Sequence, residues 1–283
     1  MNFETLTIKA LDGYNLSGRR YSGQETSRRI VLAGATGVPQ GFYRYFAEAA
    51  VSRGFEVITF DYRGIGESAP KSLRGFEMNY LDWAQLDLAG VLHELGSDKG
   101  IHLVGHSFGG QTLGVLPDLT RVISLHTFAT GAGWHGWMPK GEQIRVKILW
   151  NIAGPIVTRS KGYLAWKKLG LGEDLPIGVY RQWKYWCKFP NYWFDDPKLN
   201  NQMRDSFARV RVPVTALNAI DDRWATPQSR DAFMNYYVNA ELKLIDIDPR
   251  EFNLKAIGHM GYFRRGSEEL WSRVFEDLEK LNA

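Results

Sequence analysis

The six residues Gly105-His106-Ser107-Phe108-Gly109-Gly110 constrain this chain more than any other stretch. They follow the apolar run Ile101-His102-Leu103-Val104 and open an amphiphilic stretch that ends at Pro117. Strand, sharp turn with a serine at its apex, then helix is the local structure that a G-x-S-x-G motif needs before it carries chemistry. Glycines at 105 and 109 remove the Cβ atoms that would clash as the backbone doubles back, and the apex serine is held strained with its hydroxyl exposed. The N–H of Phe108 would then sit at a helix N-terminus, where partial positive charge can meet a developing oxyanion. Taken alone, the stretch is equally a glycine-rich turn with an incidental serine. What decides between the two lies elsewhere in the chain.

The remainder supplies a strand–helix rhythm. Residues 4–10 alternate apolar and polar, Asp12-Gly13 follows, and 14–21 is a second strand-like stretch, which is a hairpin signal. Apolar runs at 29–33, 55–60, 101–104 and 122–128 read as buried strands. Helical spacing covers 42–53, stopped by Gly54, and 81–95, closed by Gly96. Further on, 212–218 and 240–247 read as strands, and 228–237 and 268–281 as helices. The pattern predicts an α/β fold with a mostly parallel central sheet flanked by helices.

The rhythm breaks between 131 and 206. Seven of the ten tryptophans fall there, with twelve Lys or Arg against six Asp or Glu, so the segment carries more positive charge than the chain's net of +4. Pieces of it read as helical, at 146–152, 163–169 and 179–187. The expected organisation is a core from 1–130 and 207–283, with a helical, aromatic-rich cap at 131–206. Tryptophan buries large area in a small subdomain, and the same residues would give Ser107 an apolar pocket.

Composition excludes several classes. One cysteine, Cys187, cannot form a disulfide within the chain or a cysteine metal cluster, which fits a reducing cytoplasm. The opening residues, Met1-Asn2-Phe3-Glu4-Thr5, lack the basic region and apolar run of a signal peptide, and no run is long enough to span a bilayer. No stretch of Lys and Arg interleaved with aromatics reads as a nucleic-acid face.

Three chemistry-bearing groups now fall at the C-terminal ends of predicted strands: Ser107, Asp221 or Asp222, and His259 in Gly258-His259-Met260-Gly261. In open parallel sheets that edge is where sites are built. A serine hydroxyl needs a base within hydrogen-bond reach, and the base needs a third group to fix its tautomer and steady its charge.

With these residues in view, the chain resembles the α/β-hydrolase superfamily over nearly its whole length. The order Ser, Asp, His is that family's order. Asp61-Tyr62-Arg63-Gly64-Ile65-Gly66-Glu67-Ser68 is similar to its D-x-R-G-x-G-x-S loop, Asn218-Ala219-Ile220-Asp221 to its G-x-x-D acid position with Pro227 downstream, and Gly258-His259 to its Gly-His. Closer still, Ala35 to Tyr43, Asp221 to Ala225 and Gly258 to Phe263 are similar to stretches of a group of bacterial hydrolases of unassigned substrate, serine esterase- or aminopeptidase-like. The chain departs from the family at Ala33-Gly34, where His-Gly is usual, and at Asn218, where Gly is usual.

The resemblance implies Ser107 as nucleophile, His259 as base and Asp221 as acid, with Asp222 open because counting back from Pro227 favours a later residue. It implies oxyanion donors at Phe108 and at Ala35 or Thr36, between which the sequence does not choose. His106, Trp134, Trp137 and Trp224 are candidate substrate contacts, with His106 also readable as structural.

Other motifs carry less. Gly64-Ile65-Gly66-Glu67-Ser68-Ala69 fits a phosphate-loop pattern only formally, because it follows the second strand–helix unit and opens no helix. His102 and His106 are four apart on a strand-turn, not a helix, so no metal site is expected. Cys187 reads as a packed thiol. The expectation is a serine hydrolase of an apolar acyl ester, needing no cofactor. Acyl transfer, thioester or amide cleavage by the same groups, and ligand binding without turnover, stand as alternatives.

Overall fold

The hairpin signal around Asp12-Gly13 becomes β1 (Glu4–Lys9) and β2 (Asn15–Tyr21), antiparallel with Lys9 opposite Asn15. Gly13 takes the turn with φ +86°, a conformation that glycine adopts without Cβ strain. The computed structural model describes residues 3–281 apart from 25, 27, 97–99 and 171, so Met1 and Asn2 of the leader reading lie outside the described residues.

Six further strands complete one sheet: β3 (Arg28–Ala33), β4 (Phe55–Phe60), β5 (Ile101–His106), β6 (Val122–Phe128), β7 (Val214–Ala219) and β8 (Leu242–Ile247). Their order is β1-β2-β4-β3-β5-β6-β7-β8. Only the pairings of β2 with β1 and β4 are antiparallel; β4-β3, β3-β5, β5-β6, β6-β7 and β7-β8 are parallel. Every residue of β4, β5 and β7 is buried, as in central strands of a mostly parallel sheet covered on both faces.

On one face pack the helices Arg44–Ser52 and Glu268–Lys280, through Phe46, Trp271 and Phe275, and Arg53 donates to both oxygens of Glu279. On the other face lie a π-turn at Trp83–Leu88 running into helix Ala89–Glu94, and most of the aromatic side chains that follow β6. The helix expected after Ser107 is short, Phe108–Gln111, with a 3-10 turn at Leu113–Val115. There the Thr112 hydroxyl donates to the Gly109 carbonyl, a local bond that competes with helix continuation.

Between β6 and β7 the chain is helical at Lys140–Ile148, passes through a π-turn at Leu149–Ala153 into Gly154–Lys161, and is helical again at Ile177–Trp186 and Asn200–Ala208. The stretch 163–169 is not the helix its spacing predicts. Gly162, at φ 83°, ends the preceding helix, Leu164 forms an antiparallel bridge with Leu175, and only the 3-10 turn Lys167–Leu169 remains. Trp150, Trp166, Trp186 and Trp193 share one apolar cluster with Ile58, Phe108 and Leu113 of the sheet layer, so this region packs into the sheet's core and not around one of its own.

Candidate active site

Ser107 leaves β5 with φ 52° and ψ −113°, outside the ordinary regions for a residue with a Cβ. Its own N–H donates to Phe128 O at 2.8 Å, and Gly110 N–H donates to Ser107 O at 3.0 Å, so the turn is held from both sides. The glycines are required by space. A Cβ on Gly105 would lie 2.4 Å from Gly110 Cα, and one on Gly109 would lie 1.9 Å from Ala33 O.

His259, in the loop after β8, brings Nε2 to 3.1 Å from Ser107 Oγ. Its Nδ1 lies 2.9 Å from Asp222 Oδ2. The expectation of Asp221 at this position is corrected: the histidine's partner is Asp222. Adjacent residues in a turn point different ways, and here the Asp222 N–H bonds back to Ala219 O at 3.0 Å, aiming its carboxylate inward. Asp222 Oδ1 accepts N–H bonds from Trp224 at 2.8 Å and Ala225 at 3.0 Å, leaving Oδ2 for the imidazole. Burial pushes the Asp222 pKa up, but the neighbouring His259 and these hydrogen bonds outweigh it and hold the carboxyl below its ordinary range. Asp221 does other work. Its two oxygens accept the N–H groups of Ile257 and Gly258 at 2.9 and 3.0 Å, clamping the backbone that leads to the histidine.

Of the two amides after β3, Ala35 N–H already donates to Tyr43 Oη at 2.7 Å. Ala35 is therefore corrected as an oxyanion donor. The N–H groups of Thr36 and Phe108 have no protein acceptor among the described residues, and both residues border the same pocket as Ser107. Thr36 is fixed by a hydroxyl–hydroxyl bond to Tyr80, whose ring stacks on Phe108 at 4.3 Å.

His106 is fully buried and does not border the pocket, so the substrate-contact expectation is corrected to a structural one. Its Nε2 meets His259 O at 2.9 Å and its Nδ1 meets Tyr43 Oη at 3.0 Å. A carbonyl only accepts, so Nε2 carries the proton and Nδ1 accepts from the tyrosine. Burial, helped by the nearby His259, pushes the His106 pKa down to about 3 and keeps the ring neutral.

The free space beside Ser107 is narrow, about 50 Å³. Trp224 borders it, as do Trp150 and Trp183 of the segment between β6 and β7. Trp134 and Trp137 do not; they pack edge to face on each other at 5.5 Å, and Trp137 Nε1 donates to Pro190 O. The sequence offered no means of ranking these tryptophans, nor any signal for Tyr80, Gln111 or Met138, which also border the space. Cys187 reaches it too, but burial pushes its thiol pKa up, away from a reactive thiolate.

The loop Asp61–Ser68 is a brace at the end of β4. Asp61 accepts the N–H groups of Gln40 and Glu67, Ser68 Oγ donates to Asp61 O, and Arg63 pairs with Asp87 and Asp12. Among the described residues no three His, Cys, Asp or Glu side chains are grouped so as to hold a metal ion, and no helix is long and apolar enough to cross a membrane.

A family model described as "Alpha/beta hydrolase family" matches residues 30–264. No curated protein sequence matches the chain. Among solved structures, DcsB in complex with its substrate analogue superposes with a TM-score of 0.67 at 17% identity, covering 99% of each chain. A thermophilic esterase from Thermogutta terrifontis gives 0.62 at 18% identity over 100% of each chain. A thioesterase domain from the curacin biosynthetic pathway gives 0.62 at 12% identity, over 97% of this chain and 99% of that one. At such identities these likenesses establish the fold alone.

Proposed function

Since the chain belongs to the α/β-hydrolase family, we propose that it cleaves an acyl bond, an apolar carboxylic ester first, through a covalent intermediate on Ser107. The observation that carries this reading is the continuous hydrogen-bonded series Ser107 Oγ, His259 imidazole, Asp222 carboxylate. His259 Nε2 takes the Ser107 proton as Oγ bonds to the acyl carbon. The carbonyl oxygen becomes an oxyanion held by the N–H groups of Phe108 and Thr36, a kind of contact worth roughly 100- to 1000-fold in turnover when one donor is lost. The tetrahedral centre collapses, His259 protonates the departing alkoxide, and the acyl–Ser107 ester remains. His259 then takes a proton from a water as the water oxygen bonds to the acyl carbon; the bond from that carbon to Ser107 Oγ breaks, the carboxylic acid leaves, and His259 returns the proton to Oγ. Asp222 orients the imidazole and balances its charge throughout.

The apolar preference rests on Trp150, Trp183 and Trp224 around the serine. In this reading the segment 131–206 acts as a cap over Ser107, and the single buried cysteine suits a cytoplasmic protein. A second reading is thioester cleavage by the same steps; a thioesterase domain is among the solved structures that share the fold. The test is a fluorophosphonate probe on wild type and Ser107→Ala. We expect labelling of wild type alone; an unlabelled wild type, or equal labelling of both, sinks the proposal.

A further inference from the structure

The helical stretch 140–161 has an inner face on the pocket and an outer face open to solvent. Val146 and Trp150 border the pocket, and Glu142 accepts from Trp224 Nε1 at 2.9 Å. On the outside stand Ile144, Ile148, Ile152 and Ile156, exposed at 61%, 49%, 56% and 65%. Ten large hydrophobic side chains are exposed among the described residues; no other helix interior carries such a row. In a straight α-helix each four-residue step overshoots a turn by about 40°. The π-turn Leu149–Ala153 fits extra residue into the winding and takes back part of that drift, keeping the isoleucines in one row.

The surroundings of the row are basic. Lys140, Arg145, Lys147, Arg159 and Lys161 are exposed on the same stretch, and its one acid, Glu142, is buried. Arg159 continues with Arg181 of helix Ile177–Trp186 along a depression of about 290 Å³, where Glu77 is the single acid.

We propose that this face docks the protein on an anionic lipid surface, with the isoleucines among the headgroups and the lysines and arginines on their negative charges. Charge complementarity selects this occupant. Apolar side chains on one face with basic residues alongside are what a helix lying in a membrane interface requires. A second copy of this chain fits poorly. Two-fold pairing of the row would set Lys147, Arg159 and Lys161 of each copy against those of the other, with no exposed acid on the stretch to meet them. Attachment is peripheral, since no described helix can cross a bilayer. The docking stretch also walls the pocket, so an acyl chain would approach from the lipid side. That last clause rests on the proposed function; the docking does not.

The test is co-sedimentation of the full chain with vesicles of phosphatidylglycerol and phosphatidylcholine in equal parts, and with phosphatidylcholine alone. Wild type should bind the anionic vesicles and lose binding as salt is raised. The double change Ile148→Ser, Ile152→Ser should lower partitioning at least about tenfold. Lys147→Gln with Lys161→Gln should lower it about fivefold per charge on anionic vesicles and leave binding to phosphatidylcholine unchanged. A circular dichroism spectrum and a thermal midpoint equal to those of wild type check that each variant is folded. Absent binding to anionic vesicles, or binding that the isoleucine changes leave intact, overturns the proposal. So does a dimer in solution that those changes dissolve while vesicles go unbound, which would assign the face to a second copy. A wild type that binds vesicles but resists the probe supports docking and sinks the acyl-serine reading.

Discussion

The loops at the ends of β5, β7 and β8 and the segment between β6 and β7 build opposite sides of one narrow space by different means. The strand-end loops are fixed by hydrogen bonds. Ser107, Asp222 and His259 each hold their place through bonds of 2.8–3.1 Å to backbone or to one another. The facing segment is held largely by contact among apolar rings, such as Trp150 on Trp183 at 5.0 Å and Trp166 on Trp183 at 5.3 Å. Directional bonds place atoms to within tenths of an ångström, whereas ring packing holds shape but tolerates substitution of similar volume. Reaction chemistry should therefore be brittle to change on the first side and substrate preference adjustable on the second.

The sharpest break of that comparison is between neighbouring acids. Asp222→Asn should lower kcat by about 10⁴-fold, because the amide favours the wrong imidazole tautomer. Asp221→Asn, which keeps one acceptor for the two loop amides, should cost about tenfold or less. Steady-state kinetics on a chromogenic ester checks both, and a larger loss at Asp221 would return the acid's role to that residue. Next comes His106→Phe, which leaves Tyr43 Oη and His259 O without their buried partner. A fall in kcat of about 10- to 100-fold with little change in KM is expected, and His106→Gln should recover part of it.

On the other side, Trp183→Leu should change kcat/KM by about tenfold in a sense that depends on acyl length, while labelling by a small fluorophosphonate stays near wild type. Equal losses for all acyl lengths would mean that the segment tunes the chemistry as well as the fit.

The smallest effect is on stability. Burial pushes His106 to about 3 and His126 to about 4, below the unfolded value near 6.5. Between those values the unfolded chain binds more protons than the folded one, so stability rises with pH across the window and is lost as pH falls below about 6.5. Each histidine contributes a slope of up to ~1.4 kcal/mol per pH unit. Urea midpoints measured from pH 7 to 5 should fall, and His126→Met should flatten the curve.

The same contrast explains what could be read from residues alone. Sheet strands and their turns are local, so period-two alternation and apolar runs located β1 to β8 to within a few residues, and the strained serine turn followed from its glycines. Which of two adjacent aspartates faces the histidine depends on how the chain leaves β7, and spacing is silent on that. Which amide after β3 is free depends on Tyr43, from the next element. In the segment after β6 no period separates ring from ring, because tryptophans recur on both the pocket side and away from it, so Trp150 and Trp183 could not be told from Trp134 and Trp137.

The bonds of His106 bear on how the motif itself should be read. Its first variable letter is formally free, yet here one neutral ring links Ala35 N–H, through Tyr43, to the carbonyl of His259. The loop beside the free Thr36 amide and the loop bearing His259 thus take their positions from a single shared datum. Misplacement of either is inherited by the other, so the gap across Ser107 is kept constant even where its walls are not. A chain with another residue at that letter would have to set the same gap with two independent supports, and their errors would add.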